Sequence, residues 1–304
     1  MIFNRLPEKL IPFAQSLCAA LNTEYFGCLP AHEYAFESRH LGLVNAQETA
    51  DLKEKTDALD RLAAQYICLD RLLTLGEPLS TPPEMPQYKA AEYAPVIAVA
   101  RDRAFCFLYE ENLEMLAEMG CKIVYFSPMH DAHLPAADGL YLCGGYPELY
   151  ARALSENTGM RGEIRSAVAG SMPVIAECGG FLYLHDTLRT KSGEIYPMAG
   201  VIRADAFPGA RLRQFGYITL HPAADSLICS AGAAVRAHEF HYWQSTAPGS
   251  AFRAEKPDGQ SWQCAHVSDT MYAGFPHLYL PAAPDAAARF VRACGRYGGA
   301  HGTD

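Results

Sequence analysis

The chain has 304 residues, 50% of them hydrophobic and 19% charged, enough to bury a full core in one large domain with a smaller piece beside it. A formal charge of −9 with no basic cluster argues against nucleic acid or an anionic membrane as a partner, and no apolar run approaches bilayer-spanning length. Ten cysteines without regular spacing or a C-x-x-C pair point to reduced thiols rather than a disulfide frame or a zinc site, and the first residues lack leader-peptide architecture, so the expected location is the cytoplasm.

In chain order, Ile2 to Arg5 reads as the tail of a strand. Pro7 to Leu21 reads as a helix with Leu10, Phe13, Leu17 and Leu21 at apolar spacing, and Tyr25 to Leu29 as a second strand. Ser38 to Val44 (S-R-H-L-G-L-V) precedes a helical stretch from Ala46 to about Leu75. Arg39 and His40 read equally well as contacts for an anionic ligand and as surface residues. So few strands and helices bury their own apolar faces poorly, and the section looks incomplete. Prolines 78, 82, 83, 86 and 95 then mark a linker over 78–95, because no periodic element survives that density of proline. Beyond it, strands and helices alternate, the pattern of a parallel sheet with helices on both faces. The predicted strands are Val96 to Ala100, Ile123 to Phe126, Gly139 to Cys143, Pro173 to Ala176, Gly216 to Leu220, Val235 to Phe240, Trp262 to Val267 and Met271 to Phe275. Helices are predicted over Glu110 to Met119 and Asn157 to Ala169.

The most informative stretch is Met172 to Leu188, where a short apolar strand runs into Glu177-Cys178-Gly179-Gly180 and then a helical pattern. Strand, cysteine, paired glycines and helix form the layout of a nucleophile elbow. The thiol would stand at a helix N-terminus, where the macrodipole favours thiolate. The competing reading is one more buried cysteine among ten. A cysteine nucleophile also needs oxyanion donors and a base. The N–H of Gly179 follows the nucleophile, and Gly144-Gly145 at the end of a neighbouring strand can turn a second N–H toward it, or serve only as a tight turn. Among eleven histidines, His277 follows the last strand, where a loop can carry it over the elbow. His238 and His241 are three apart, so at most one faces the centre, and the H-E-x-x-H spacing of a zinc site is not met. His130 and His133 flank a turn and are expected at the surface. His185 is expected inside the elbow helix, packed or facing solvent.

Cys178 in A-E-C-G-G, Gly144-Gly145 in G-G-Y-P-E and His277 near the C-terminus resemble the class I glutamine amidotransferase domain. More narrowly, S-R-H-L-G-L-V, V-A-R-D-R-A-F-C-F (Val99 to Phe107), F-S-P-M-H-D (Phe126 to Asp131), G-G-Y-P-E-L, A-E-C-G-G and H-E-F-H-Y (His238 to Tyr242), in that order, resemble the cobyrinic acid a,c-diamide synthase family. The resemblance runs from about Ile2 to Pro281. It implies an α/β fold: a parallel-sheet class I glutamine amidotransferase-like domain over 96–281, a remnant of a P-loop-type synthetase domain over 1–77, the linker 78–95, and a tail over 282–304. It also implies that glutamine is hydrolysed through a γ-glutamyl thioester on Cys178, with His277 as base and then acid and Gly145 and Gly179 as oxyanion donors. The ammonia would amidate the a and c carboxylates of a corrinoid, cobyrinate, with ATP and Mg²⁺. No metal ligands are assigned, and Arg39 and His40 receive no defined role.

Three departures from the family stand out. Tyr279 occupies the position where many class I amidotransferases carry a glutamate that orients the histidine, and where this family tends to have histidine. Ala237 and Trp243 stand where glycine and serine are expected. Finally, the family's phosphate-binding loop, G-x-x-x-x-G-K-[ST], is absent, since the sequence has no Gly-Lys pair. The expectation is a chain holding the glutaminase half, with the rest of the synthetase half missing or supplied by a partner chain. Two alternatives are a cobyric acid synthase-like amidotransferase and a truncated, non-catalytic binding scaffold.

Overall fold

The computed structural model describes residues 1–34, 36, 49, 51–76 and 93–301. The S-R-H-L-G-L-V stretch, with Arg39 and His40, and most of the proline-rich segment lie outside the described residues. Two units separate between Pro86 and Gln87. In the first, β1 (Ile2–Leu6) pairs in parallel with β2 (Gly27–Pro30). Helix α1 (Ile11–Ala20), with Pro12 in its first turn where a missing N–H costs nothing, buries Ala14 and Cys18. The predicted apolar positions Leu10, Phe13, Leu17 and Leu21 are all exposed. The stripe has the expected helical spacing, but no layer among the described residues of this unit covers it. The expected long helix is two, α2 (Leu52–Tyr66) and α3 (Leu69–Leu73), because Ile67 leaves the helix in extended conformation and bridges Gly27.

The second unit is built on a six-stranded sheet in the order β15-β16-β8-β6-β3-β5. These are β3 (Val96–Ala100), β5 (Lys122–Phe126), β6 (Gly139–Leu142), β8 (Val174–Glu177), β15 (His266–Val267) and β16 (Met271–Gly274). All neighbours are parallel except β15, which runs against β16. Taken in chain order, the five parallel strands give the 2-1-3-4-5 arrangement of doubly wound sheets, which place ligands beyond the carboxyl ends of their strands. The strands read as continuous apolar runs because both faces are covered: Ile97 to Ala100 and Leu140 to Leu142 have no exposed surface. Helices α4 (Glu110–Glu118), α5 (Ala151–Glu156) and α6 (Thr158–Ala169) form the connections; Asn157 caps α6 by accepting from Met160 N–H.

A second, largely antiparallel sheet extends the purely parallel expectation. It contains β9 (His185–Arg189), β10 (Ile195–Pro197), β11 (Ile202–Pro222), β12 (Val235–Ser245), β13 (Phe252–Glu255), β14 (Ser261–Cys264) and β17 (His277–Leu278). The predicted strand Trp262 to Val267 is split between the two sheets at Ala265, whose φ is +61°. Residues 282–304, for which no element is predicted, contain α8 (Pro284–His301). This helix buries Ala286, Ala287, Phe290, Val291, Ala293 and Cys294 in the same core as the parallel strands.

Candidate active site

The elbow forms at the carboxyl end of β8. Glu177 closes the strand, Cys178 adopts φ +46° and ψ −98°, and α7 (Gly179–Tyr183) starts at the next residue. Such a conformation costs a β-carbon-bearing residue roughly 1–3 kcal/mol. The surroundings hold it: Cys178 N–H donates to Gly274 O at 2.8 Å, and its carbonyl accepts from Leu182 N–H at 2.9 Å. Gly180 permits the turn, since a β-carbon there would stand 2.1 Å from Leu142 O. Its N–H donates to Cys143 O at 3.0 Å, which leaves Gly179 N–H as the first-turn donor next to the thiol.

Gly144 and Gly145 form the short strand β7, paired antiparallel with β4 (Phe105–Phe107). The R-D-R-A-F stretch shapes this corner. Asp102 accepts from the N–H groups of Ala104 and Phe105 through Oδ1, and from Ser127 Oγ and Met129 N–H through Oδ2. Its carboxylate therefore ties the turn after β3 to the loop after β5, and Tyr146 N–H then donates to Ala104 O at 2.9 Å. A β-carbon on Gly145 would meet Ala104 O at 2.2 Å, so only glycine fits. Gly145 N lies directly against Gly179, 2.9 Å from where that residue's β-carbon would be. The two predicted donors thus come from separate turns and stand side by side.

His277 arrives from the other sheet. After β16 the chain crosses at Phe275-Pro276, with Pro276 O accepting from Tyr272 Oη at 2.9 Å, and pairs with β12, His277 opposite His238. The imidazole is 3% exposed, and its ring packs edge-on against Phe107 at 4.7 Å. It rests where Gly144 lacks a side chain, as a β-carbon there would stand 2.4 Å from His277 Cε1. Burial lowers the pKa of this imidazole, but its contact with the Cys178 thiol and the nearby negative charge of Glu177 outweigh burial and raise it to about 10. The structure therefore brings Cys178, His277, Gly145 and Gly179 together. A thiol beside an imidazole that can exchange its proton is the pairing a cysteine nucleophile needs.

The remaining histidines separate by face. His238 shares the side of His277, packs against Phe215 and Tyr217, and has its pKa lowered by burial and then by the charge on His277. His241 points the other way, bonded to Glu239 Oε1 at 2.9 Å and stacked 3.7 Å from Phe275, beside a cavity of about 160 Å³ that Gln214 and Trp262 also line. His130 and His133 are exposed. His185 lies just past the elbow helix, at the start of β9. It is fully buried between Phe181 O (2.8 Å) and Ser245 Oγ (2.7 Å), and burial lowers its pKa to about 4. Among the described residues no group of three metal-ligating side chains forms.

Glu177 has no assigned role in the sequence pattern. It is 1% exposed, accepts from Leu278 N–H through Oε1 at 2.9 Å and from Tyr141 Oη through Oε2 at 3.2 Å, and has Oε2 3.8 Å from His277 Nδ1. Asn112 closes the network, donating through Nδ2 to Tyr141 Oη (3.0 Å) and Leu278 O (2.8 Å) and accepting from Leu280 N–H (2.8 Å). The signal was present in M-P-V-I-A-E-C: a carboxylate ending a strand buried on both faces is rare unless paired.

Residues 96–280 match the sequence profile of the CobB/CobQ-like glutamine amidotransferase domain, and the chain belongs to that family. Within it, the chain is similar to proteins named cobyrinate a,c-diamide synthase. It is 35% identical over 286 residues to that of Caldanaerobacter subterraneus subsp. tengcongensis, covering 91% of this chain and 63% of the relative. It is 38% identical over 259 residues to that of Fusobacterium nucleatum subsp. nucleatum, covering 80% and 57%. With that of Listeria monocytogenes serotype 4b it shares 35% identity over 264 residues, covering 84% and 58%. The chain therefore spans about three-fifths of the length of these curated relatives.

Proposed function

We propose that the second unit hydrolyses glutamine and passes the ammonia to the amidation of the a and c carboxylates of cobyrinate. The Cys178 thiolate attacks the γ-carboxamide carbon, and the oxyanion is held by the N–H groups of Gly179 and Gly145. Protonated His277 gives its proton to the departing ammonia, leaving a γ-glutamyl thioester. Neutral His277 then takes a proton from water, whose oxygen displaces the thiolate and releases glutamate. The observation that carries this reading is the coupling of His277 to Cys178 on the strained turn, with the imidazole brought from the other sheet.

Amidation of a carboxylate requires activation, which in this family's reaction uses ATP and Mg²⁺. The residues of this sequence do not fit the triphosphate: the 304 residues hold no Gly-Lys pair and so no loop of that kind. We therefore assign activation to polypeptide other than this sequence, and read 1–77 as the part of a synthetase half that meets it, joined through 78–95. The exposed stripe of α1 and a parallel sheet of two strands among the described residues support this, since parallel pairs of that size ordinarily belong to larger sheets covered on both faces. The proposed site of action is the cytoplasm. Glutaminase assays test the reading: Cys178→Ala and His277→Ala should each lose activity by at least about 10³-fold, and full activity in either removes the assigned roles.

A further inference from the structure

We propose that Glu177, the residue immediately before the nucleophile, is the positioning carboxylate for His277, and that residue 279 has no part in holding the base. The inference rests on the glutaminase reading above and adds a third member to its centre.

Geometry excludes Tyr279 first. It is 38% exposed, and its ring packs edge-on against Tyr109 at 5.4 Å. Glu177 is the acid that faces the buried Nδ1 edge of His277, at 3.8 Å, and that nitrogen has no hydrogen-bond partner in this resting arrangement. A buried N–H donor without a partner is costly, and 3.8 Å is an ion-pair separation rather than a hydrogen bond. Catalytic hydrogen bonds are often long before substrate binds, so the gap closes when glutamine is bound. With Nδ1 turned to Glu177, Nε2 is the nitrogen left for the thiol.

The carboxylate itself is held fast. Leu278 N–H fixes Oε1 and Tyr141 Oη fixes Oε2. Asn112 clamps both Tyr141 and the backbone on either side of Tyr279, at Leu278 O and Leu280 N–H. The group that orients the base thus also fixes the backbone of the residue after it. Nucleophile and orienter are consecutive residues of one strained turn, so both are set by a single backbone conformation.

Four measurements test the assignment. Glu177→Gln should lower glutaminase kcat/KM by at least about 10²-fold, because a side-chain amide donates to Nδ1 and fixes the tautomer that cannot accept the thiol proton. In the same variant, the pH midpoint for alkylation of Cys178, followed by peptide mapping, should rise by one unit or more, a shift that lost packing alone does not produce. Glu177→Asp should recover part of both quantities, and Tyr279→Phe should match wild type in both. In the wild-type protein, where no substitution disturbs folding, nitrogen-15 NMR across the titration of His277 should find Nδ1 as the nitrogen that keeps its proton in the neutral ring. An unprotonated Nδ1, a wild-type alkylation midpoint in Glu177→Gln, or a loss in Tyr279→Phe equal to that of Glu177→Gln overturns the assignment while Cys178→Ala remains inactive. Activity surviving in Cys178→Ala would instead remove the glutaminase reading itself.

Discussion

Gly144→Ala is the sharpest probe of how the two sheets make one centre. The new methyl would stand 2.4 Å from His277 Cε1, 3.3 Å from its Nδ1 and 3.4 Å from Phe107 Cβ. Carbon atoms pack comfortably at about 3.5–4.0 Å, so something must yield by about 1 Å. Gly144 is pinned through β7 to β4, and Phe107 lies on β4 itself, which leaves the imidazole as the group that moves. Its displacement disturbs the alignment with Glu177 and the thiol. A displacement of about 1 Å in a catalytic group costs roughly 10²-fold in rate, and overpacking a tight site costs about 1–3 kcal/mol of stability. The expected result is a fall in glutaminase kcat of about 10²-fold, with a thermal midpoint lowered by no more than about 10 °C. Gly162 supplies the contrast: it lies within α6 with nothing inside 4 Å of its missing β-carbon. Gly162→Ala should therefore leave kcat unchanged and gain up to about 1 kcal/mol in a urea titration. Wild-type kcat in Gly144→Ala, with unaltered stability, would refute the placement of His277 against that glycine.

Other outcomes follow from burial and charge. His185 is held neutral in the fold, with its pKa lowered to about 4, while the unfolded chain takes up a proton near pH 6.5. Stability is therefore complete above about pH 6.5 and declines as pH falls toward 4, by up to about 3 kcal/mol for this group alone. Urea titrations at pH 7 and 5 should show the loss, and His185→Asn should flatten it. Phe290 of α8 has no exposed surface, so Phe290→Ala should cost about 3–5 kcal/mol and be visible in thermal unfolding of the second unit. Burial pushes the Cys121 thiol up to about 12 and those of Cys143, Cys264 and Cys294 well above the ordinary range. Peptide mapping after brief alkylation at pH 7.5 should find those four unmodified until denaturant is added.

How much of this was legible in the chain depends on the range of the interaction. The elbow could be read because its parts are consecutive: strand, cysteine, paired glycines and helix start occupy residues 174–183. The parallel strands were legible for a similar reason, as burial on both faces writes itself as unbroken apolar runs. Helix α8 was not, because its apolar residues are mostly small (Ala286, Ala287, Ala293) and so carry a weak periodic signal. The outward stripe of α1 shows the opposite failure: its period identifies a helix, but period alone does not say which layer, if any, covers the face.

What the sequence by itself determined is local: a nucleophile on a turn that its neighbours force, and glycines where no side chain fits. The tertiary structure decided the partners. It brought His277, already the candidate base in the sequence, to Cys178 by carrying the chain from one sheet to the other, and it set Glu177 rather than residue 279 beside the ring. Spacing along the chain fixes which side chains share a face within one element. Which faces meet across 101 residues, as Glu177 and Leu278 do, depends on how strands are ordered in a sheet, and that is settled only when the whole core packs.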